Sequence, residues 1–521
     1  MTEQAMASRS AAAPGRSREN GPMAWVRPGP LAGRYPAAAA MVMFALIPYL
    51  ALSAAIGPIT PIIAHSLHMS SQAMSLGSGM ANAAYAVGTV LAVAFAQFLP
   101  QRRMMVLYVV LLVIGSILTA AAQDAGMFIA GHVLQGLCTS LLLIAAVPPL
   151  VLGFGAHKLR WTAVILDLCI FGAVTLGPTI GGIQAQAHAW RPLFWIVAAV
   201  AAAALLLSVL TFEDSPPADP AAPRDPVVVG LAAAGSAAAF YGASELLTHK
   251  FLGAQTFAPL IGGLALIVVL IVTQYRAKRP LLTIRGILSS TIPVSGIVIG
   301  LFAAAASVSV SVLSASLLVG RYSPVHIGLL YLPALGGALL SAGLLGVVLN
   351  RRAMQYLPLA GMAFLAAGIA VFRIDLPSTQ ALTLIGSGLI GIGLGATVAP
   401  ALFAAGFSVP ATNLQRVFAI IELLRAAAAF MIAPVFAHFA VTVGGNPVSG
   451  TGIALWIGLG LAVGGAAIAV AIYLLGGARP QTPQLDRFMT GQGPAWYSPP
   501  LLAAVRNRAS TGALAHEPTR P

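Results

Sequence analysis

The chain has 521 residues, of which 59% are hydrophobic and only 8% charged, with a mean hydropathy of +0.91. A water-soluble domain carries about 25% charged residues, so the composition excludes one and leaves an all-α polytopic membrane protein, long enough for roughly 12 to 15 helices at about 30 residues per span and connection. The net charge of +14 is split into short basic clusters between apolar runs, which encodes topology and speaks against nucleic-acid binding, while Cys138 and Cys169 both lie in apolar runs and exclude a disulfide scaffold or a Cys-based zinc site.

Residues 1–36 are polar and Arg-bearing and read as a disordered cytoplasmic tail with no cleavable signal peptide. Six apolar runs follow at 37–63, 73–99, 104–122, 126–154, 161–185 and 192–212, and they predict a six-helix bundle over 37–212. The Pro- and Asp-rich stretch 213–226 predicts an extended linker. Runs 227–246 and 255–274 predict two inserted helices over 227–274. Runs 290–319, 326–349, 354–372, 379–404, 417–440 and 452–475 predict a second six-helix bundle over 275–475. The Pro-, Gly- and Arg-rich residues 476–521 are expected to be a disordered cytoplasmic tail.

Charge placement supports fourteen transmembrane helices with both termini cytoplasmic. With that topology only Arg191, Lys250, Arg321 and Arg373 fall outside, Arg425 lies within a span, and every other Lys and Arg is inside. The turns Gln101-Arg102-Arg103 and Asn350-Arg351-Arg352 follow the second and tenth runs. Six-helix halves would place them after helices two and eight, so two helices are inserted between repeated halves, a feature of secondary transporters.

A few residues within these runs carry chemistry. The run Gly172–Gly182 (GAVTLGPTIGG) removes a backbone hydrogen bond at Pro178 and bares backbone at its glycines, so it predicts a helix that bends or packs tightly against another. The recurring glycines 386, 388, 391, 393 and 395 predict close packing rather than a nucleotide loop. Asp167, Glu245 and Glu422 are the acids within spans, where insertion of charge costs about 2.5 to 3.5 kcal/mol. Asp167 is the first candidate for taking up and releasing a proton, against a capped structural role. Glu422 and Arg425, three apart, form either a structural pair near the cytoplasmic end of helix thirteen or a gate. Glu245, beside His249 and Lys250, reads as a solvated rim residue. Asn82 and Tyr85 are candidate cavity residues, and Trp161, Trp190 and Trp195 candidate interfacial anchors. Arg102, Arg103, Arg351 and Arg352 serve either topology or a conformational latch between halves.

From about 40 to 475 the chain resembles the major facilitator superfamily, specifically its fourteen-helix drug/proton antiporter branch. The resemblance rests on Gly177-Pro178-Thr179-Ile180-Gly181-Gly182, similar to the antiporter motif of helix five, and on Trp190-Arg191-Pro192-Leu193-Phe194 at the start of helix six. Val133-Leu134-Gln135-Gly136, Arg279-Pro280-Leu281-Leu282, and Ser323-Pro324 with Gly328-Leu329 and Leu332-Pro333 also fit, in the right order. The departures bear on mechanism. Leu52 stands where the branch often has an Asp, though Pro61 is kept. Val93 and Gln97 replace a Gly and an Asp ahead of Arg102 and Arg103, and His132 stands in place of an Arg three residues before Gln135. A histidine there titrates near neutrality, which makes His132 a second coupling candidate, with Gln135 on its face, against a neutral packed role.

These readings together lead to a secondary active transporter, with proton-coupled export of amphipathic drugs or organic metabolites by alternating access as the expectation. The expected partners are a small-molecule substrate, protons, the lipid bilayer and a periplasmic adaptor protein; no cofactor, metal or nucleic acid is expected. The location expected is the inner membrane of a bacterium. An importer or facilitator on the same scaffold and a non-transporting membrane sensor remain as alternatives. An enzyme is disfavoured because the ionisable groups are scattered, with no metal-ligand spacing.

Overall fold

The computed structural model describes residues 30–211, 225–246, 249–376, 379–443 and 445–504, without the side chains of 308, 309, 311 and 312. The expected linker and the N-terminal tail lie almost wholly outside these residues. Among them, thirteen helices are long and apolar enough to cross a membrane. They are α1 (Tyr35–Ser66), α2 (Ser71–Phe98), α3 (Gln101–Ala120), α4 (Ala125–Leu152), α5 (Ala156–Gln186), α6 (Arg191–Thr211), α7 (Pro226–Glu245), α8 (Ala254–Arg276), α10 (Pro324–Val348), α11 (Arg352–Ile374), α12 (Gln380–Phe407), α13 (Ala411–Thr442) and α14 (Pro447–Gly476). The run 290–319 forms one further 28-residue helix, α9 (Thr291–Leu318).

Helices α1–α6 pack into one bundle and α9–α14 into a second. In lipid, apolar side chains gain little by leaving the solvent for each other, so close approach of backbones does the work. The glycines show where. A Cβ at Gly136 of α4 would strike Ala81 O of α2, one at Gly391 of α12 Ala334 O of α10, and one at Gly393 Leu365 of α11, 2.7 Å from its nitrogen. Helices α7 and α8 pair through Gly242 and Gly263, and α7 lies against α2 and α13 at the edge of both bundles. Large apolar side chains such as Leu206, Val268, Leu340 and Leu474 are exposed on the outer surface, as a lipid-facing belt requires.

Both described chain ends lie on one face, here the terminal face, and they produce a correction. The tail after Gly476 is folded to residue 504, not disordered; 505–521 lie outside the described residues. Gly477 ends α14 in the left-handed conformation (φ 66°), which turns the chain back under the second bundle. A short helix, α15 (Leu485–Met489), follows and lies against the start of α5. Phe488 and Trp496 are buried on either side of Phe407, with ring centroids 5.2 and 5.9 Å away. Trp496 Nε1 donates to Ser408 Oγ at 2.6 Å and Ala404 O at 3.2 Å, and Thr291 N donates to Pro499 O at 3.0 Å. This clasp gives backbone groups at the end of α12 and the start of α9 the partners that helix ends need.

Candidate functional site

The two bundles meet along two seams, α5 against α10 and α2 against α13. The first is built by the Gly-Pro motif. A Cβ at Gly177 would strike Ala54, and one at Gly181 would strike Ala55 O, so these two glycines let α1 press on α5 within its own bundle. Gly182 faces the other way, against Pro324 O of α10. Gly328 of α10 abuts Pro178 and Thr179, and Thr179 Oγ1 donates to Gly328 O at 2.9 Å. The motif thus has one face for its own bundle and one for the opposing bundle. Towards the terminal face the same seam continues where Gly346 meets Val164.

Asp167 lies on this seam, one turn past Val164. It is 1% exposed, and neither carboxyl oxygen has a hydrogen-bond partner among the described residues. A Cβ added at Gly395 of α12 would stand 3.4 Å from Asp167 Oδ2, with Ser341 Oγ of α10 still nearer. The acid therefore projects from the first bundle onto a small-residue patch of the second. Directly after it, Leu168–Gly172 form a π-helical turn, a helix irregularity frequent at functional sites.

At the second seam, the Glu422–Arg425 pair meets Tyr85, a residue singled out separately. Glu422 and Arg425 of α13 pair at 2.7 Å (Nη2–Oε2), with Arg425 Nε also donating to both carboxylate oxygens at 3.1 and 2.9 Å. Tyr85 of α2 crosses from the other bundle: its hydroxyl donates to Glu422 Oε2 at 3.3 Å and accepts from Arg425 Nη2 at 3.4 Å. All three are buried. The pair lies opposite the middle of α2 rather than at a helix end. Asp167 and Glu422 each fall eleven residues after the first residue of their helix, α5 and α13. They are counterparts in helix position, one carboxylate neutralised by Arg425 and the other without a partner among the described residues.

The remaining candidates lie elsewhere. His132 is buried inside the first bundle, its Nδ1 3.4 Å from Gln135 Oε1 and its ring stacked 5.9 Å from Phe128, with Tyr49 at 5.7 Å. Gln135 donates to Ser116 Oγ at 3.1 Å, so this network joins α3 and α4. Asn82 is half-buried one turn before Tyr85. Arg102 is buried and donates to Val209 O at 3.1 Å, at the end of α6 in its own bundle, while Arg103, Arg351 and Arg352 are exposed.

Two expectations are corrected. Glu245 is 1% exposed rather than solvated; it pairs with His249 Nδ1 at 2.8 Å and accepts from Gln72 Nε2 of α2 at 3.2 Å. Trp190 is no interfacial anchor: it is buried against Phe128 and Phe194 and donates to Ser66 Oγ at 2.8 Å, whereas Trp161 and Trp195 are about half exposed. The contacts that sequence reasoning missed are the Tyr85 bridge, the Ser341–Gly395 patch opposite Asp167 and the aromatic enclosure of His132.

Two helical bundles meeting on buried acids define a polytopic carrier-type membrane protein. The chain belongs to the Major Facilitator Superfamily, whose model matches residues 42–430. An uncharacterized MFS-type transporter, YubD, of Bacillus subtilis (strain 168) is 30% identical over 243 residues, 44% of this chain and 46% of that one. A multidrug resistance protein B homolog of Mycobacterium tuberculosis (strain ATCC 25618 / H37Rv) is 26% identical over 261 residues, 48% of this chain and 47% of that one. The chain spans about half the length of these curated relatives. Among solved structures, the human organic anion transporter MFSD10 (TETRAN) superposes with a TM-score of 0.57 at 12% identity, over 84% of this chain and 99% of that one. A POT family transporter in complex with 5-aminolevulinic acid gives 0.60 at 13% identity, over 84% and 95%. These likenesses show a multi-pass membrane transporter fold.

Proposed function

We propose that this transporter spans the membrane fourteen times with both ends cytoplasmic, and that it exports amphipathic organic compounds in exchange for protons. Asp167 is the proton carrier. The observation that carries this reading is its position: a buried carboxyl without a hydrogen-bond partner among the described residues, on the seam between the bundles. Charge in such a place is expensive unless paired. A carboxyl that is neutral while the seam is closed and ionised once rocking of the bundles admits water couples protonation to conformation. Glu422 already has a counter-charge and serves instead, with Arg425 and Tyr85, as a polar link across the other seam. The likeness to the multidrug resistance protein B homolog supports export of drug-like compounds.

The direction is tested in inside-out membrane vesicles. An imposed gradient, acid inside, is expected to drive accumulation of a fluorescent lipophilic cation such as ethidium, and dissipating the gradient should release it. Accumulation only with the opposite gradient would establish the importer reading.

A further inference from the structure

We infer that the cleft between the start of α5 and the α10–α11 turn is a binding site for a phosphate-type oxyanion, presented by the headgroup of an anionic lipid. This rests on the cleft and on the cytoplasmic placement of the chain ends proposed above, and is independent of which solute the protein moves. A cavity of about 320 Å³ is lined by Ala156, His157, Lys158, Arg160 and Trp161 of the first bundle and by Asn350 of the second. Arg351 and Arg352, exposed on the same turn as Asn350, extend the positive charge. The nearer cations are held by rings: Lys158 Nζ is 5.7 Å from the centroid of Tyr35, and the Arg160 guanidinium 5.3 Å from that of Trp161. None of Lys158, Arg160, Arg351 and Arg352 has a carboxylate ion-pair partner among the described residues. The first turn of α5 is capped by Gly155, which has no side chain to accept its amides.

Lys158 and Arg160 line the cleft from the first bundle, and Arg351 and Arg352 follow Asn350 on the turn of the second, so an anion in the cleft lies between cations of both bundles. Three features favour a lipid over a free ion. The cleft lies at the helix ends, at headgroup depth; Trp161 is half exposed beside it, as interfacial tryptophans are. Basic pockets between transmembrane helices on the cytoplasmic side suit anionic headgroups. Because the cleft spans the seam, occupancy would hold the bundles together at the terminal face.

The test is thermal unfolding of the full chain in detergent, titrated with dihexanoylphosphatidylglycerol, dihexanoylphosphatidylcholine or inorganic phosphate. Saturable stabilisation by the phosphatidylglycerol and not by the phosphatidylcholine is expected. Stabilisation by inorganic phosphate at the same concentrations would assign the oxyanion to solution rather than lipid. Lys158→Gln with Arg160→Gln should weaken the apparent affinity about 25-fold, from about fivefold for each basic group near a headgroup. Lys158→Arg with Arg160→Lys should keep it, as should Lys278→Gln with Arg279→Gln on another turn. Asn350→Asp, which keeps every cation but adds an acid to the cleft, should weaken it too, and so stands in if the Gln pair does not fold. Equal stabilisation by both lipids, or an affinity unchanged by the Gln pair and by Asn350→Asp, overturns the proposal.

Discussion

At the residue scale, Glu422, Arg425 and Tyr85 form a buried unit whose members depend on each other. Arg425→Gln leaves a carboxylate in the membrane interior without its counter-charge and should cost about 3–5 kcal/mol. Glu422→Gln combined with Arg425→Gln should recover most of that loss, since neither charge remains. Tyr85→Phe removes only the hydroxyl that crosses the seam and should cost about 1 kcal/mol. Thermal melts of the three variants in one detergent check the ranking; a double variant no more stable than Arg425→Gln alone would mean that the pair does more than neutralise charge. The helix spacing made the Glu422–Arg425 pair legible, because three residues is one turn. Their partnership with Tyr85 was not legible, because it joins positions 337 apart through a packing of helices that periodicity does not encode. The burial of Glu245 is not legible for the same reason: its partner Gln72 stands on a different helix.

At the element scale, the Gly-Pro motif and the C-terminal clasp make separate predictions. Gly181→Ala places a methyl against Ala55 O and must push α1 from α5. Gly343→Ala on α10 meets open space and should be neutral or stabilising by up to about 1 kcal/mol, since Ala is the better helix former. Melting temperatures measured side by side should fall for the first and not for the second. For the clasp, Trp496→Ala removes a buried indole and its hydrogen bonds to α12. Losses at buried Trp are about 3–5 kcal/mol, and here they should fall locally, as faster proteolysis and amide exchange within 477–504 with the spans still protected. Spans were readable because run length maps directly onto bilayer thickness. The clasp was not, since its Pro, Gly and Arg content matches that of a linker. The one available signal was the large aromatics Phe488 and Trp496 in an otherwise polar stretch, and their worth depends on Phe407, which lies far away in sequence.

At the scale of the whole molecule, two bundles share two seams with a buried acid on each, and the two acids differ in what surrounds them. Glu422 is satisfied across its seam by Tyr85 and by its own helix. Asp167 has no such partner among the described residues, and in the rocking motion proposed above the opening of the α5–α10 seam would change its surroundings. Coupling by such a device is reciprocal: if a proton gradient drives solute, a solute gradient must drive protons. The most direct measurement is proton movement driven by a substrate gradient in sealed proteoliposomes, for the wild type and Asp167→Asn, with substrate–substrate exchange measured in parallel. The account predicts opposite proton and substrate fluxes in the wild type. In Asp167→Asn it predicts loss of the proton flux with substrate exchange retained. Substrate-driven proton flux that persists in Asp167→Asn would contradict it.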